Sequence, residues 1–412
     1  MKVLHVNTHD VSGGAARAAY RLHQALLSVN VDSRMLVQYK KSDDQTVSMV
    51  ASDKVGKALA LIRPAIDSVP LRFYRNKTPT LFSPAWLWSN RLISKINEMA
   101  PDIVHLHWIC GGMVRIEDLP KIKAPIFWSL HDMWAFTGGC HYNEGCEGYL
   151  DKCNTCKVLG SDGGTILSRW IWKRKNKAYA KMPNLIVVGL SNWLRKCAAT
   201  SKLLSRSSIY CLPNLIDTSK YKPMEKDIAR KLWNLPPNKR FVLFGAMSAT
   251  SDPRKGYNQL IRALGNLGKN IELIIFGSSK PGNANEFLQK THYMGYLHDD
   301  VSMAALYNAA DVMVVPSLQE NLSNAIMESL SCGIPVVAFA IGGNGDLIEH
   351  KKNGYLAKPY DTSDLSEGIK WVLNNKDYEG LRRSAREKVL REFDSRVVAK
   401  KYIALYGEVL CS

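Results

Sequence analysis

Short runs of Val, Ile and Leu alternate with amphipathic stretches along the whole chain. Ten of these runs are apolar on both faces, which is typical of parallel strands that helices cover on either side. They are residues 2–7, 33–39, 102–108, 125–132 and 184–191 in the first half, and 208–214, 241–247, 271–277, 311–317 and 333–340 in the second. Two successive sets of strand–helix units predict an α/β protein with two doubly wound, Rossmann-like domains.

The length supports this division, since 412 residues suit two domains of roughly 200 residues each. We expect an N-terminal domain over 1–207, a C-terminal domain over 208–393, and a final helix over 394–412 that packs back on the first domain. Turn and linker residues over 213–223 mark the boundary. Residues 50–95 are less regular, and they predict an insertion or an arm that contacts a surface.

The positive charge is concentrated in the first half. The net charge is +18, and residues 1–210 carry 29 Lys and Arg against 15 Asp and Glu, which gives this half +14. Such a field attracts nucleic acid, anionic lipid or phosphorylated substrates. A solvated basic surface is the alternative.

No apolar run approaches the ~18 residues of a membrane span, and the amino terminus does not have the layout of a signal peptide. We therefore expect a cytoplasmic protein. In that compartment the nine cysteines are interpreted as reduced thiols or metal ligands before disulfides.

Two glutamates stand in a segment that is otherwise almost without charge. Glu320 and Glu328 lie within residues 316–339, between one apolar run and the next. Residues 322–332 predict a helix that ends at Gly333, where a left-handed residue closes helices. Glu320 then lies in the strand-to-helix turn at the carboxyl end of a strand, where open α/β sheets bind ligands.

The same turn offers peptide N–H groups to an anion. The N–H groups of Leu322, Ser323 and Asn324 lie at the amino end of the predicted helix, where phosphate binds. Amides for a phosphate, beside carboxylates that accept hydrogen bonds from vicinal hydroxyls, fit a sugar nucleotide. The alternative makes Glu320 a charge at the helix start and Glu328 an exposed helix residue.

This segment resembles the donor site of the retaining glycosyltransferases of family four, which have the GT-B architecture. The residues that match the signature are Glu320, Glu328, Cys332, Gly333, Pro335, Val336 and Val337. A glycine turn at 342–348 and a strand and turn at 353–361 match the segments that follow. The resemblance implies two Rossmann-like domains that face each other across a cleft.

Adjacent cations precede a predicted helix in the second half. Arg254 and Lys255 lie in the run 252–264. In the resembling enzymes such residues bind the donor diphosphate. A cation there stabilises the charge that the leaving group gains as the glycosidic bond breaks. Taken alone, the two residues would be interpreted as a surface turn.

Two places in the first half also fit the resemblance. Gly13 and Gly14 form a turn between a strand and a helix, where a backbone can approach a substrate phosphate; a plain turn is the alternative. His131, followed by Asp132, ends a strand, and the resembling enzymes use a His here to contact the donor sugar or to shape the acceptor side. A strand-end His bonded to a backbone carbonyl is the alternative. The two histidines of the run 104–108 are interpreted as structural.

Four cysteines follow in a glycine-rich loop at 138–157. They are Cys140, Cys146, Cys153 and Cys156. The C-x-x-C spacing of the last two is typical of metal knuckles, so a structural zinc, two disulfides and four ordinary thiols are the alternatives. This loop resembles a subgroup of bacterial polysaccharide-assembly glycosyltransferases, those of the colanic-acid, capsule and O-antigen type.

Residues 168–182 surround two tryptophans with positive charge. The apolar members are Trp170, Ile171 and Trp172, and the cations are Arg169, Lys173, Arg174, Lys175 and Lys177. This layout predicts an interfacial helix on an anionic membrane. A nucleic-acid face would look similar, but no recognition motif accompanies it. An exposed helix with core tryptophans is the alternative.

Together these features predict an enzyme that moves a hexose-type sugar from a nucleotide-sugar donor to a lipid-linked glycan in bacterial surface polysaccharide synthesis. By resemblance, transfer retains the anomeric configuration and its chemistry requires no metal. Glu320 would position the donor sugar and Glu328 the ribose hydroxyls. A sugar-nucleotide epimerase and a noncatalytic basic module are the alternatives. We expect a peripheral protein on the inner face of the membrane, with no nucleic-acid partner.

Overall fold

The computed structural model describes residues 1–89, 91–160, 166–247, 249–268, 270–278 and 287–411. The chain forms two compact units. The first comprises Met1–Pro213 and Ala399–Ser412, and the second comprises Asn214–Val398.

The first unit is built on a seven-stranded sheet whose neighbouring strands all pair in parallel. Its strands are β1 (Lys2–His9), β2 (Asp32–Tyr39), β3 (Val47–Met49), β4 (Ile103–Leu106), β5 (Ile126–Leu130), β6 (Ile186–Gly189) and β7 (Ser208–Cys211). The order across the sheet is β3-β2-β1-β4-β5-β6-β7, so the direction of strand addition reverses between β1 and β4.

Five helices lie between these strands. They are α1 (Gly14–Ser28), α2 (Lys54–Asp67), α3 (Leu92–Glu98), α4 (Ile166–Tyr179) and α5 (Asn192–Thr200). Strands β1, β2, β4, β5 and β6 are buried along most of their length, as expected when helices and loops cover both faces of a parallel sheet, whereas the edge strands β3 and β7 are not.

The second unit has a six-stranded parallel sheet of the order β10-β9-β8-β11-β12-β13, with the reversal between β8 and β11. Its strands are β8 (Arg240–Gly245), β9 (Ile271–Phe276), β10 (Thr291–Tyr293), β11 (Val312–Val315), β12 (Val336–Phe339) and β13 (Gly354–Ala357). Its helices are α6 (Lys226–Leu232), α7 (Tyr257–Gly265), α8 (Asp300–Ala309), α9 (Asn324–Ser331), α10 (Asn344–Leu347), α11 (Thr362–Leu373) and α12 (Tyr378–Glu392), followed by α13 (Ser395–Cys411).

The prediction of two doubly wound parallel sheets is confirmed, and all ten predicted strands are present. One of them belongs to the other unit. The expected second domain begins at residue 208, yet β7 pairs in parallel with β6 of the first sheet, from Ser208 opposite Ile186 to Cys211 opposite Gly189. An apolar run predicts a strand but does not say which open sheet edge it will complete.

The last helix contributes its tyrosines to the first unit. Tyr402 and Tyr406 are fully buried, and the Tyr406 hydroxyl lies 2.5 Å from Nδ1 of His105. Ser129 bonds the other nitrogen of this ring, at 2.8 Å from Nε2. The last helix thus provides a hydrogen-bond partner for His105, a buried residue of β4. This contact agrees with the structural role that the sequence predicts for His105.

Helix α4 does not present its cations and tryptophans to one side. Ile171, Trp172 and Lys175 are buried, and the Lys175 ammonium donates to the carbonyls of Trp134 and Thr137. Burial lowers the pKa of Lys175 to about 7. The ammonium also lies 3.8 Å from the centre of the Trp134 ring, a cation–π contact that replaces part of its hydration.

Arg174 is engaged as well, because its guanidinium bonds both oxygens of Glu117 at 2.6 and 2.7 Å. The prediction that all of these side chains form an interfacial face is therefore wrong for Ile171, Trp172, Arg174 and Lys175. The exposed members that remain are Trp170, Arg169, Lys173 and Lys177.

Helix α2 has polar side chains inside and aliphatic side chains outside. Arg63 and Asp67 are buried, and Arg63 donates to the carbonyls of Gly112, at 2.6 Å, and of Trp88. Val55 and Leu61 are 71% and 72% exposed. Within the described residues, no helix is long and apolar enough to cross a membrane.

Candidate active site

The sheet of the second unit opens where its strand order reverses. The connections that leave β8 and β11 there run in opposite directions, and the crevice between them is where open α/β sheets bind ligands. The segment after β8 carries Asp252, Arg254 and Lys255, and the segment after β11 carries Glu320. Residues 65 positions apart in the sequence thus meet at one edge of the sheet.

Lys255 and Glu320 form an ion pair at this edge. The Lys255 Nζ atom lies 3.0 Å from Oε2 of Glu320, and the Ser317 hydroxyl donates to the same oxygen at 3.3 Å. The two side chains are 24% and 14% exposed, so solvent and salt screen the pair less than they screen a surface pair. Two residues predicted separately as site residues therefore form one contact.

Two glycines make this approach possible. Gly256, with φ 73°, lies so close to the chain that a Cβ atom there would be 1.9 Å from the Pro316 carbonyl oxygen. Gly342, with φ 50°, would place a Cβ atom 1.8 Å from the Glu320 carbonyl oxygen. Both positions need glycine for space and for backbone conformation. The backbone around Glu320 is thus held on two sides.

The Arg254 side chain bonds a residue of its own turn. Its guanidinium bonds the Asp252 carboxylate, with Nη2 2.6 Å from Oδ2, while its carbonyl accepts a hydrogen bond from the N–H of Leu318 at 2.8 Å. The backbone of Arg254 therefore joins the segments after β8 and β11. Its side chain is not part of the contact between Lys255 and Glu320.

Helix α9 begins two residues later than the sequence predicts, at Asn324. Ser323 is the N-cap, and its hydroxyl accepts a hydrogen bond from the N–H of Ile326 at 3.4 Å. Leu322 packs its side chain in the hydrophobic core. Gly333 closes the helix with φ 73°, so the predicted left-handed residue is confirmed.

Glu328 is buried, with 4% of its surface exposed, so its interpretation as an exposed helix residue is wrong. Its Oε2 accepts a hydrogen bond from the Tyr307 hydroxyl at 2.9 Å. Burial and the Glu328 charge raise the pKa of Tyr307 well above its usual range, so the phenol remains a donor. Tyr307, on α8, has no local signal in the sequence that would pair it with Glu328.

The first unit has its own reversal point, between β1 and β4. The Asn7 side chain accepts the N–H of Trp108 at 2.7 Å and ties the ends of these two strands together. Asp10 accepts the N–H groups of Val11, Lys41 and Ser42.

The turn that follows β1 leads directly into α1. Gly13, with φ 98°, is the N-cap of that helix, and Gly14 is its first residue. The predicted turn is therefore present, in a conformation that L side chains avoid. Asn7 and Asp10, which organise it, were not among the predicted site residues.

His131 and Asp132 follow β5, as predicted. The Asp132 Oδ2 atom lies 2.6 Å from Nδ1 of His141 and accepts the Trp108 indole N–H at 3.0 Å. Ser83 bonds the far nitrogen of His141 at 2.8 Å. Burial pushes the pKa of Asp132 upward, but the His141 ring and its hydrogen bond outweigh burial and lower it. Asp132 is therefore an ionised carboxylate with fixed partners.

A line of imidazoles leads from β1 to His131. Nδ1 of His5 lies 3.0 Å from Nε2 of His107, and Nδ1 of His107 lies 3.1 Å from Nε2 of His131. Burial lowers the pKa of every member and brings that of His131 to about 4, although Asp132 opposes the shift. The rings are neutral at pH 7, so His131 acts as a hydrogen-bonding group and not as a cation.

Part of this chain matches a family of known proteins. The family model described as glycosyl transferases group 1 matches residues 225–389, which include both glutamates and the Arg254–Lys255 turn. The colanic acid biosynthesis glycosyl transferase WcaC of Escherichia coli K12 is 25% identical over 349 residues, which cover 82% of this chain and 83% of that protein. The protein is a glycosyltransferase, and its second unit is similar to those of group 1.

Its architecture is GT-B. Sucrose-phosphate synthase from Thermosynechococcus elongatus superposes with a TM-score of 0.69 over the full length of both chains, at 17% identity. HepE of Anabaena, in complex with UDP-glucose, superposes with a TM-score of 0.66 over 100% of this chain and 99% of its own, also at 17% identity. The relatives confirm the predicted resemblance to glycosyltransferases of bacterial polysaccharide synthesis.

We expect Gly342→Ala to displace Glu320. A methyl group at φ 50° that overlaps the Glu320 carbonyl forces the turn to move, at a cost of about 1–3 kcal/mol in unfolding free energy. Transferase activity should fall by more than the loss of stability alone would explain, because the ion pair of Lys255 and Glu320 is displaced. The measurements are denaturant unfolding and initial rates.

Gly345→Ala is the matched control, because the site of its Cβ has no neighbour within 4 Å. It should leave the stability and the rate of this glycosyltransferase near those of the parent. If the two variants behave alike, the close approach at Gly342 does not position Glu320.

The histidines of the first unit whose pKa burial lowers, His105 among them, predict that acid destabilises this unit. The unfolded state, with histidine pKa values near ~6.5, binds more protons than the folded state, so stability rises with pH. The stabilisation is fully present above ~6.5 and is lost as the pH falls towards the folded pKa values, about 4 for His131 and about 3 for His105.

Eight of the ten tryptophans lie in the first unit, so their fluorescence in denaturant follows its unfolding. His105→Gln should reduce the pH dependence of the unfolding free energy by about one proton. His298→Gln, at an exposed position, should not. A first unit whose stability is the same at both ends of this pH window contradicts the prediction.

Proposed function

We propose that this glycosyltransferase moves a hexose-type sugar from a nucleotide-sugar donor to a glycan acceptor with retention of configuration, and that the crevice around Lys255 and Glu320 holds the donor. The observation that carries the proposal is the partly buried ion pair of these residues at the reversal point of the sheet. A nucleoside diphosphate and a sugar need a cation and a hydroxyl acceptor side by side, and this pair supplies both.

Lys255 takes the role of stabilising the leaving group. The diphosphate gains negative charge as the glycosidic bond breaks, and a cation already held near it lowers the energy of that state. An ammonium has three N–H donors, so Lys255 can bond an oxygen of the diphosphate while it remains paired with Glu320. Arg254 contributes to the same field only if its guanidinium turns away from Asp252.

Glu320 takes the role of orienting the sugar. Both of its contacts described above use Oε2, so Oε1 is the oxygen that we assign to a sugar hydroxyl. Alignment of a reacting sugar is worth orders of magnitude in rate, because it removes unproductive orientations from the bound state. The leaving diphosphate oxygen then accepts the proton of the attacking hydroxyl, and the protein needs no separate metal for this chemistry.

Glu328 takes the ribose hydroxyls. Its carboxylate accepts one bond from Tyr307, and a carboxylate has about four acceptor positions. The N–H groups at Leu322, Ser323 and Asn324 lie at the start of the same helix and suit a phosphate oxygen. In the first unit, taken by itself, the Gly13–Gly14 turn suits a phosphate, and neutral His131 suits a substrate hydroxyl.

Two relatives support the nature of donor and acceptor. HepE of Anabaena has been solved with UDP-glucose. A Campylobacter jejuni protein, 26% identical over 195 residues and 46% of each chain, is named as an alpha-1,3-N-acetylgalactosaminyltransferase that acts on a diphospho-undecaprenol-linked sugar. A lipid-linked acceptor for the present enzyme agrees with these names and with its basic first half.

A lipid-linked acceptor requires contact with a membrane, and we assign that contact to α2 and the segment after it. Val55, Leu59, Leu61 and Ile62 are exposed, and Phe73 is 84% exposed. An exposed apolar patch of this kind is unusual for a protein that works alone in water.

The charge around this patch fits an anionic bilayer. The cations of 54–81 outside the buried Arg63 are Lys54, Lys57, Arg72, Arg75 and Lys77, and all are exposed. The one acid in this stretch, Asp67, is buried. Apolar side chains surrounded by cations are typical of helices that lie in the interface of an anionic membrane.

The proposed reaction is tested with a panel of nucleotide sugars and a lipid-linked or short soluble glycan. Release of nucleoside diphosphate that depends on the acceptor, with a product whose anomeric proton signal matches that of the donor, supports it. A changed free nucleotide sugar without transfer would indicate an epimerase. No reaction with any donor, while membrane or nucleic acid is bound, would indicate a noncatalytic module.

For the donor site, Glu320→Gln should lower the turnover number on the order of 100-fold or more, because the amide keeps the size but loses an acceptor and the charge paired with Lys255. The fold should persist. Glu379→Gln, at an exposed glutamate of the same unit, is the control and should keep the parent rate. A Glu320→Gln enzyme with the parent turnover at saturating donor would reject the orienting role.

For the membrane contact, Val55, Leu59 and Ile62 are changed together to Gln. At about 1 kcal/mol for each apolar side chain removed from the bilayer, binding to anionic vesicles should weaken on the order of 100-fold. Activity on a soluble acceptor should survive, since these side chains are far in sequence from the proposed donor residues. Flotation with vesicles measures the binding.

Two further variants make this result specific. Ile228→Gln with Leu232→Gln changes equally exposed apolar residues of α6 and should leave vesicle binding unchanged. Replacement of Arg169, Lys173 and Lys177 by Gln tests the exposed part of α4. If only the α4 variant is released from vesicles, the membrane contact lies there and the assignment to α2 is wrong.

A further inference from the structure

The four cysteines of the loop at 138–157 surround a single cavity in the first unit. Cys140, Cys153 and Cys156 are buried, Cys146 is half-buried, and all four are free thiols. The cavity has a volume of about 20 Å³, which is room for about one water-sized particle. Residues spread over 17 positions of a glycine-rich loop therefore line one small space.

Backbone N–H groups point at two of these sulfurs. The N–H of Gly138 donates to Sγ of Cys153 at 3.1 Å, and the N–H of Gly148 donates to Sγ of Cys146 at 3.4 Å. The backbone thus donates to two of the four sulfurs, and cysteine binds metals through its sulfur as a thiolate.

Gly138 is required for this contact. A Cβ atom at this position would lie 2.7 Å from the Ser168 carbonyl oxygen and 2.8 Å from Cβ of Cys153. Any side chain would therefore push the N–H away from the sulfur. The chain is built so that a backbone donor reaches Cys153.

The remaining two cysteines, Cys140 and Cys156, are buried and line the same cavity. Both also pack in a small apolar cluster with Phe82 and Ile171, which keeps their side chains inside the loop.

We propose that Cys140, Cys146, Cys153 and Cys156 bind one Zn²⁺ as a structural site. Zinc takes four thiolates in a tetrahedron, and the C-x-x-C pair formed by Cys153 and Cys156 has the spacing of a zinc knuckle. With four protein ligands there is no open position for a substrate, so the ion stabilises the loop and takes no part in sugar transfer. Each thiol that binds releases its proton to water.

A second group of ligands in the first unit is less suited to a metal. Ring nitrogens of His5, His105 and His107 lie within 4.8 Å of one another. Among the residues that the structure describes, the four loop cysteines do not bring three sulfurs this close together. However, both nitrogens of His105 are used in bonds to Ser129 and Tyr406. A metal would have to break these contacts inside a packed sheet, whereas the four cysteines line a cavity in a loop outside the sheet.

The zinc loop would also hold a part of the acceptor side. The Thr137 hydroxyl donates to the Cys140 carbonyl at 2.6 Å, and the next residue, His141, bonds Asp132. The His141 carbonyl accepts the N–H of Met133 at 3.0 Å. Loss of the ion should therefore loosen the pair of Asp132 and His141, while the donor residues of the second unit, Lys255 and Glu320, keep their geometry.

The test begins with the metal content of the unmodified protein, purified under reducing conditions without added metal. We expect about one zinc per chain by elemental analysis. Replacement of zinc by Co²⁺ should produce the visible and near-ultraviolet bands of a tetrahedral cobalt thiolate. A strong chelator should release the metal and lower the Tm of the first unit by more than about 5 °C, with little change in nucleoside diphosphate binding.

Cys146→Ser, at the least buried of the four positions, should lose the metal and the cobalt bands and still fold. Cys411→Ser changes an exposed cysteine outside the loop and should retain one zinc. Metal-free parent protein without cobalt thiolate bands overturns the proposal. So does a denatured protein with four fewer reactive thiols than its nine cysteines, since that count means two disulfides.

Discussion

The parallel pairing of strands is the constraint on which both units depend. A parallel sheet needs a crossover after every strand, and where the order reverses, two neighbouring crossovers leave in opposite directions and open a crevice. In the second unit this geometry brings Lys255 to Glu320; in the first it brings the end of β1 to Trp108. The candidate site residues of each unit are distant in sequence and close in space because they all follow the carboxyl ends of strands that lie side by side in one sheet.

The polar groups at these edges are stable because each has a partner. Glu328 has Tyr307, Glu320 has Lys255, and Asp132 has His141 and Trp108. Removal of one partner leaves a buried charge uncompensated, which costs more than the contact itself contributes. The same pairing keeps the side chains oriented before a substrate arrives, and preorganised groups need no rearrangement as charge develops during sugar transfer.

The sequence predicted the strands well and the partners poorly, for physical reasons. Ten apolar runs became strands, and all of these strands except β7 are largely buried; β3 and β10, of three residues each, carry no such pattern. Lys175 is buried against Trp134, although charge patterning placed it outside. Glu320 and Glu328, the glutamates of the proposed donor site, were singled out because their local pattern resembles a family. Tyr307 and His141 were not, since a hydrogen-bond partner on another element has no local signature.

The features that distinguish the first unit lie in two long crossovers, β3 to β4 and β5 to β6. The second unit has shorter connections around its sheet. These crossovers do not rely on the main core: Leu71 and Phe82 of one pack with Cys140, Cys156 and Ile171 of the other in a small separate cluster. A satellite cluster of this size excludes little water and stabilises a loop weakly. An ion held by four thiolates at its margin would supply the cohesion that the apolar side chains lack, and it would do so next to the segment that carries Asp132 and His141. The long crossovers can then vary the proposed acceptor side and the proposed membrane contact while the parallel sheet beneath them stays unchanged.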